Sequence, residues 1–487
     1  MKFAAKILIA FLFLSLIQAQ SFEKYFHDST MRIDYHHTGD KTSEWVSVDK
    51  IYKYGTWAGS KKNLTDKFNN GRFYIKVYDA ADKSLIYSKG FDSYFGEYQM
   101  SGPAAKGIKK AFHETALIPY PKNKVKFVVE KRDDKKELYK IFETEIDPSS
   151  IDIIRMNFEE KDILVYKSHV SGNPHTSMDL AIIGDGYSSN DVEKFKSDID
   201  RFTKLMLKTE PYVHFQDKIN IYGVLKPSSE SGIDEPRADI YQNTSLSSTF
   251  NSMGSERYLL TEDNKALRDV AANVPYDAVA IMVNHHRYGG GGIYNFYCTF
   301  TTDNQFADYL FLHEFGHSFT GLADEYYTSS TAYNEMFKLD IEPLEPNITA
   351  LLDKDNLKWK KLVTKGLSLP TKWEKEAYDK KSYEWTKERA KLNSKVAELK
   401  RNKASKEEIE AAEKLYAEKD AENSKWVDEY LQNCKHFGKV GAFEGAGYLQ
   451  FGMYRPELDC IMFSKGVKPF CKVCQSAIAK VIKSYTE

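Results

Sequence analysis

Apolar positions change their spacing twice along the chain, and each change predicts a different class of element. Over residues 21–150 they recur every second position in short runs broken by turn residues: Phe73, Ile75 and Val77 alternate with Tyr74, Lys76 and Tyr78. Side chains two apart share one face of a strand, so these runs predict half-buried strands. Residues 125–131 and 137–146, separated by a turn at Asp133 and Asp134, predict a hairpin. Together they predict an N-terminal all-β sandwich over residues 20–150, with no catalytic constellation, serving as a spacer or surface-binding module. Pro148, Ser149 and Ser150, then Ser171, Gly172, Asn173 and Pro174, carry the turn chemistry of a domain junction.

Beyond the junction, strands and longer helices mix. The apolar run 180–183 predicts a buried strand, residues 190–208 a helix stopped by Pro211, and residues 219–225 and 279–283 further strands. This mixture predicts an α/β or α+β catalytic region over residues 151–487. Residues 371–430 interrupt it with no Gly or Pro, 15 Lys/Arg and 15 Asp/Glu. Such a composition suits solvated helices, and Ser405 followed three residues later by Glu408 forms a capping-box pattern. The segment therefore predicts two helices joined by a short turn at 402–404, a hairpin projecting from the catalytic region.

A length of 487 residues exceeds one ordinary domain, and 42% hydrophobic with 14% aromatic residues suits well-packed cores. Lys+Arg of 69 against Asp+Glu of 70 leaves a net charge of -1, so no global field favours nucleic acid or an anionic membrane. The start of the chain adds an address. Lys2 and Lys6, the apolar run 7–17, and Gln18, Ala19, Gln20 follow the order of a secretory signal, predicting a signal peptide over 1–19 cleaved after Ala19. The chain is expected to be exported to the periplasm, the cell surface or the medium, and no later stretch is apolar enough to span a membrane. Export in turn bears on the cysteines. Cys434, Cys460, Cys471 and Cys474 are expected to form two disulfides, with a zinc site of all four as the alternative, whereas Cys298 reads as a buried thiol.

The chemistry concentrates in residues 306–327, FADYLFLHEFGHSFTGLADEYY. On a helix, His313 and His317 lie one turn apart on one face, where both imidazoles can meet one zinc ion, and Glu314 falls beside the metal's open position. Leu310, Phe311, Phe315 and Phe319 suit a buried helix over 308–319, and Gly321 stands where a C-cap would turn the chain back. A catalytic zinc keeps three protein ligands. Asp324, three residues after Gly321, is the expected third; Glu325 is the near alternative and a distant Glu on another helix the far one, and with Asp324 bound Glu325 becomes a residue holding a histidine's other nitrogen.

These residues, with the segments IIGDGYSSNDVEKFKSDIDRF, INIYGVLKPSSESG, NHHRYGGGGIYNFYCTF and YRPELDCIM, resemble the M64 peptidases, zinc metallopeptidases that include bacterial IgA-cleaving enzymes. The resemblance spans about 180–478 outside the charged insert. It implies a zincin-like core, one catalytic Zn2+, a secreted metalloendopeptidase with Glu314 as general base, and a protein or glycoprotein substrate, host immunoglobulin among them. Met462 resembles the turn methionine under the zinc of metzincins, although Phe463 and Ser464 stand where that pattern carries a Tyr. Gly290, Gly291 and Gly292 lead into an aromatic strand and permit the close approach of an extended peptide. Tyr454 is a candidate substrate contact, and Tyr454 and Arg455 are candidate oxyanion donors. Two other classes fit the same residues: a zinc-stabilised glycoprotein-binding module without turnover, and a zinc hydrolase of a non-peptide amide or ester.

Overall fold

Residues 22–156, 162–328 and 337–487 are described by the computed structural model of the protein. The expected signal peptide, 1–19, lies outside them. The N-terminal region contains β1 (Phe26–Gly39), β2 (Glu44–Tyr54), β3 (Phe73–Asp79), β4 (Leu85–Phe91), β5 (Lys110–Pro121), β6 (Val125–Arg132), β7 (Leu138–Ile146) and β8 (Ile154–Arg155). They form two four-stranded sheets, ordered β5-β1-β2-β8 and β4-β3-β6-β7. The alternation read from the sequence is what joins them: Met31, Ile33 and Tyr35 of β1 and Phe73, Ile75 and Val77 of β3 bury in one apolar core. The hairpin at 125–146 is β6 paired antiparallel with β7.

The second region is built on a six-stranded sheet of order β13-β14-β12-β10-β11-β9. Its strands are β9 (Leu164–Val170), β10 (Met178–Asp185), β11 (Ile219–Leu225), β12 (Ala278–Val283), β13 (Gly290–Ile293) and β14 (Tyr297–Thr301). The middle four run parallel and the two edge strands antiparallel. Every residue of β10 and β11 is buried, because each face of the sheet has its own cover. Ala181, Ile183, Val224, Val279 and Ile281 share the apolar core of the N-terminal sheets. Leu180, Ile182, Ile221, Ala280 and Met282 pack instead with α1 (Val192–Lys208) and α3 (Ala307–Thr320). The N-terminal region is therefore no spacer. It supplies one of the two faces that a mostly parallel sheet must bury, pinned by the buried Arg32 guanidinium, which bonds Asp34 and, 2.6 Å away, Asp269 on α2 (Asn264–Ala271).

The charged insert forms α4 (Lys375–Arg401) and α5 (Lys406–Gln432), with the Ser405/Glu408 capping box in place. It does not project freely. Tyr378, Val427 and Leu431 bury in the main core, Lys400 pairs with Glu235, and Arg401 donates to the Arg237 carbonyl. The composition reports an exposed outer face; the apolar residues at helical spacing on the inner face dock the hairpin. β15 (Phe443–Ala446), β16 (Leu449–Arg455) and the C-terminal α6 (Lys472–Thr486) complete the fold. No helix among the described residues is long and apolar enough to cross a membrane.

Candidate metal centre and cleft

Helix α3 is buried nearly throughout, and its amphipathicity is weak because it is covered on all sides. It ends at Gly321, whose φ of 67° is the left-handed C-cap conformation glycine adopts most cheaply. The turn reverses the chain so that Asp324 returns to the helix. His313 and His317 place their Nε2 atoms 3.1 Å apart, and Asp324 Oδ1 lies 3.1 Å from the first and 3.2 Å from the second. Three ligand atoms about 2.0–2.1 Å from one zinc at near-tetrahedral angles would stand about 3.2–3.4 Å apart.

The surroundings set the orientation of each donor. His313 Nδ1 lies 3.0 Å from the Ile461 carbonyl and 3.2 Å from the Tyr309 hydroxyl, and His317 Nδ1 lies 2.6 Å from the Leu322 carbonyl. A carbonyl only accepts, so each Nδ1 carries the proton and each Nε2 turns its lone pair toward Asp324. The Tyr448 hydroxyl donates to Asp324 Oδ2, while the buried Oδ1 has no hydrogen-bond partner. An unpartnered carboxylate oxygen facing two imidazole lone pairs fits a divalent cation bound among them. Burial disfavours charge on both His317 and Asp324, yet with no cation between them the carboxylate draws a second proton onto His317 Nε2: His317 is pushed up to about 9 and Asp324 falls far below the usual carboxylate range, so a metal ion at this point would take the place of that proton. Burial pushes the Glu314 carboxyl up, with His313 and His317 pulling against it.

Two glycines make this packing possible. A Cβ on Gly292 of β13 would stand 2.5 Å from the Glu314 carbonyl oxygen and 2.7 Å from His317 Cβ, so only glycine lets the edge strand lie against α3. A Cβ on Gly316 would stand 3.1 Å from Met462 Sδ, which places Met462 against the helix at Gly316, one residue before His317. Gly290 is bridged on its outer side by Tyr258, but no described strand pairs with the outer edge at residues 291–293.

A cavity of about 270 Å³ opens over these groups, and Gly290, Gly291, Gly292, His313, Glu314, His317 and Asp324 all line it. Tyr454 does not; its backbone pairs with Thr349, and the cleft-lining tyrosine of the β15-β16 hairpin is Tyr448. Arg455 is fully buried, donating to the Glu444, Gly445 and Leu458 carbonyls. It is a structural cation rather than an oxyanion donor. Glu325 does not hold a histidine either. Successive side chains of an extended segment point to opposite sides, so Asp324 faces the histidines while Glu325 faces Asn347 and Cys474, 3.0 and 3.2 Å away. The cleft also has walls that the sequence reading missed. Asn70, Asp92 and Glu97 come from the N-terminal region, Arg257, Tyr258 and Tyr326 from the central region, and Arg389 and Asp420 from the helical insert. Their local sequence carries no signal of a site; only the folded chain gathers them.

The cysteines depart from the expected two disulfides. Cys434 bonds the Tyr430 carbonyl and buries with Phe443 and Leu458, apart from Cys460, Cys471 and Cys474. All five cysteines are free thiols, and Cys298 is buried within β14 as expected.

A peptidase-like cleft over a two-histidine helix agrees with the comparison to known families. Residues 167–482 match the sequence model described as IgA Peptidase M64, and residues 21–143 match the one described as Peptidase M64 N-terminus. The chain belongs to the M64 peptidase family. No curated protein matches it.

Proposed function

We propose that the protein is an exported zinc metalloendopeptidase of zincin type, with His313, His317 and Asp324 as metal ligands and Glu314 as general base. The observation that carries this reading is the convergence of two Nε2 atoms and the unpartnered Asp324 Oδ1 within 3.2 Å, beside the buried carboxyl of Glu314. Zinc held by these donors would supply Lewis acidity, polarising the scissile carbonyl and acidifying a water molecule. The Nδ1 hydrogen bonds keep both imidazoles oriented, and Tyr448 holds Asp324 from behind. Glu314 takes the proton from the attacking water and delivers it to the departing amine nitrogen. Its environment suits that task, since burial raises its affinity for the proton it must carry. An extended substrate would pair with the outer edge of β13 along 291–293, which sets its scissile bond over α3. Residues 20–150 serve as a β-sandwich accessory domain and residues 151–487, with the 371–430 insertion, as the peptidase domain. Met462 supports the ligand helix as a turn methionine, and residues 1–19 direct export.

A mixed peptide library tests the activity. Cleavage should vanish on chelation, return with Zn2+, and fall by about 100- to 10,000-fold in Glu314→Gln while metal content is retained. Undiminished hydrolysis by Glu314→Gln would remove Glu314 from the mechanism. Intact-mass measurement of the exported protein checks for cleavage after Ala19.

A further inference from the structure

Behind the ligand turn lies a second set of donors. Glu325, Cys460, Cys471 and Cys474 are all fully or almost fully buried, with four ligand atoms within 4.8 Å of one another. Cys460 Sγ and Cys474 Sγ are 3.9 Å apart, and Glu325 Oε1 lies 3.2 Å from Cys474 Sγ and 3.8 Å from Cys471 Sγ. Bonds of about 2.3 Å to sulfur and about 2.0 Å to oxygen at tetrahedral angles would separate sulfur atoms by about 3.8 Å and sulfur from oxygen by about 3.5 Å. A disulfide would need sulfurs at about 2.05 Å.

The local backbone is arranged for thiolates. Cys471 caps the N-terminus of α6, its sulfur accepting the Cys474 N–H, and the Cys471 N–H points at Cys460 Sγ, 3.1 Å away. Amides directed at sulfur and a helix N-terminus both favour S⁻ over SH. Asn347 donates to Glu325 Oε1, yet Oε2, equally buried, has no hydrogen-bond partner. Three thiols crowded around a fully buried carboxyl, one oxygen of it unpartnered, are costly without a cation.

We infer that Glu325, Cys460, Cys471 and Cys474 form a second, structural metal site with a donor set of three sulfurs and one oxygen, taking Zn2+ in closed tetrahedral coordination. Four protein donors leave no position for substrate, so the site is not catalytic. Its value is positional. It ties the 323–325 turn to the 460–462 turn and to α6. Those two turns carry Asp324, the Ile461 carbonyl that orients His313, and the Met462 carbonyl that accepts the Glu325 N–H at 2.8 Å. Metal ligation would also shield three reduced thiols in the oxidising compartment to which the proposed export leads.

The test uses the full mature protein and a His313→Ala/His317→Ala variant. Metal content is measured by mass spectrometry, and the ligand shell by zinc-edge X-ray absorption. The wild type should hold two zinc ions and the double variant one, with a shell of about three sulfurs at about 2.3 Å. Cys474→Ser should remove the sulfur-rich ion. Should either variant fail to fold, the wild type alone decides: a sulfur shell and five free thiols released in denaturant support the site. No sulfur shell, or recovery of a disulfide among Cys460, Cys471 and Cys474, overturns it. One zinc with a purely sulfur-rich shell in the wild type would instead count against the His313/His317/Asp324 centre and leave this inference standing.

Discussion

Asp324 and Glu325 are neighbours in the chain and belong to two donor clusters built in opposite ways. The Asp324 cluster rests on a helix: its two histidines come from adjacent turns of α3, and only the third donor arrives from beyond the helix. It faces a cleft and keeps room beside it for Glu314. The Glu325 cluster has no such local frame. Its donors come from the ligand turn, a loop and the start of α6, with Cys474 lying 149 positions from Glu325. It is closed on all sides, and its donors are mostly sulfur. On the functions proposed above, the contrast is between a site for turnover, open and mixed nitrogen and oxygen, and a clamp, shut and sulfur-rich. It also shows how a step of one residue distributes a chain between the two, through alternation of side-chain direction.

The largest effect that separates the clusters is expected from Gly292→Val. Its side chain must push β13 off α3 at the Glu314 carbonyl, which displaces Glu314 and His317, whereas the nearest atoms it meets include none of the cysteine cluster. Peptide cleavage should fall by about 100-fold or more, with any sulfur-bound zinc retained; misplacement of a reacting group by about 1 Å suffices for such a loss. Metal analysis alongside turnover reads both outcomes. Next in size is Tyr448→Phe, which strips Asp324 Oδ2 of its hydroxyl donor. Affinity for the histidine-bound metal should weaken by about 10-fold in a chelator competition, leaving the sulfur-bound ion untouched.

A pair of buried acids elsewhere shows what happens where no sulfur or imidazole donors are present. Asp179 of β10 and Asp277 meet at the end of the central sheet, where Asp277 accepts the Asp179 N–H. Burial, and for Asp179 the neighbouring Asp277 charge, push the two carboxyls up to about 8 and about 7. A raised carboxyl pKa means that the native state keeps its proton where the unfolded chain releases it. Stability from this pair is therefore complete below the ordinary carboxyl range and is lost as pH rises toward 7–8, at up to about 1.4 kcal/mol per pH unit for each carboxyl. Asp179→Asn should flatten that fall, read from urea midpoints between pH 5 and pH 8. The smallest effect is expected from Cys434→Ser. Cys434 touches neither cluster, so the stoichiometry and the sulfur shell should not change, and stability should fall by only about 1 kcal/mol for a small buried substitution.

Much of this was legible along the chain. The helix of the ligand pair, its Gly321 cap, the strands at 219–225 and 279–283, the hairpin at 125–146 and the capping box at Ser405 all depend on contacts within a few residues. Their periodicity or cap chemistry is complete in the local sequence. The return of Asp324 is nearly local, since a short turn after Gly321 leaves few places for it to go. Legibility failed where side chains are shared across distance. The charge balance of 371–430 describes the solvent face of α4 and α5, and the docked face depends on core residues elsewhere. Tyr454 and Tyr448 sit on one small hairpin, and strand and turn geometry decides which reaches the cleft.

Sequence alone therefore determined the donor types, the helix that pairs His313 with His317, and the position of Glu314 beside them, because an α-helix fixes angular relations between residues one and four apart. Tertiary structure alone decided that Glu325 turns from the histidines to three cysteines, that the Ile461 carbonyl 148 positions away orients His313, and that N-terminal and inserted residues wall the cleft. Local geometry propagates over a turn or two. Beyond that, position is set by which apolar faces bury one another, and no short window of the chain contains both faces.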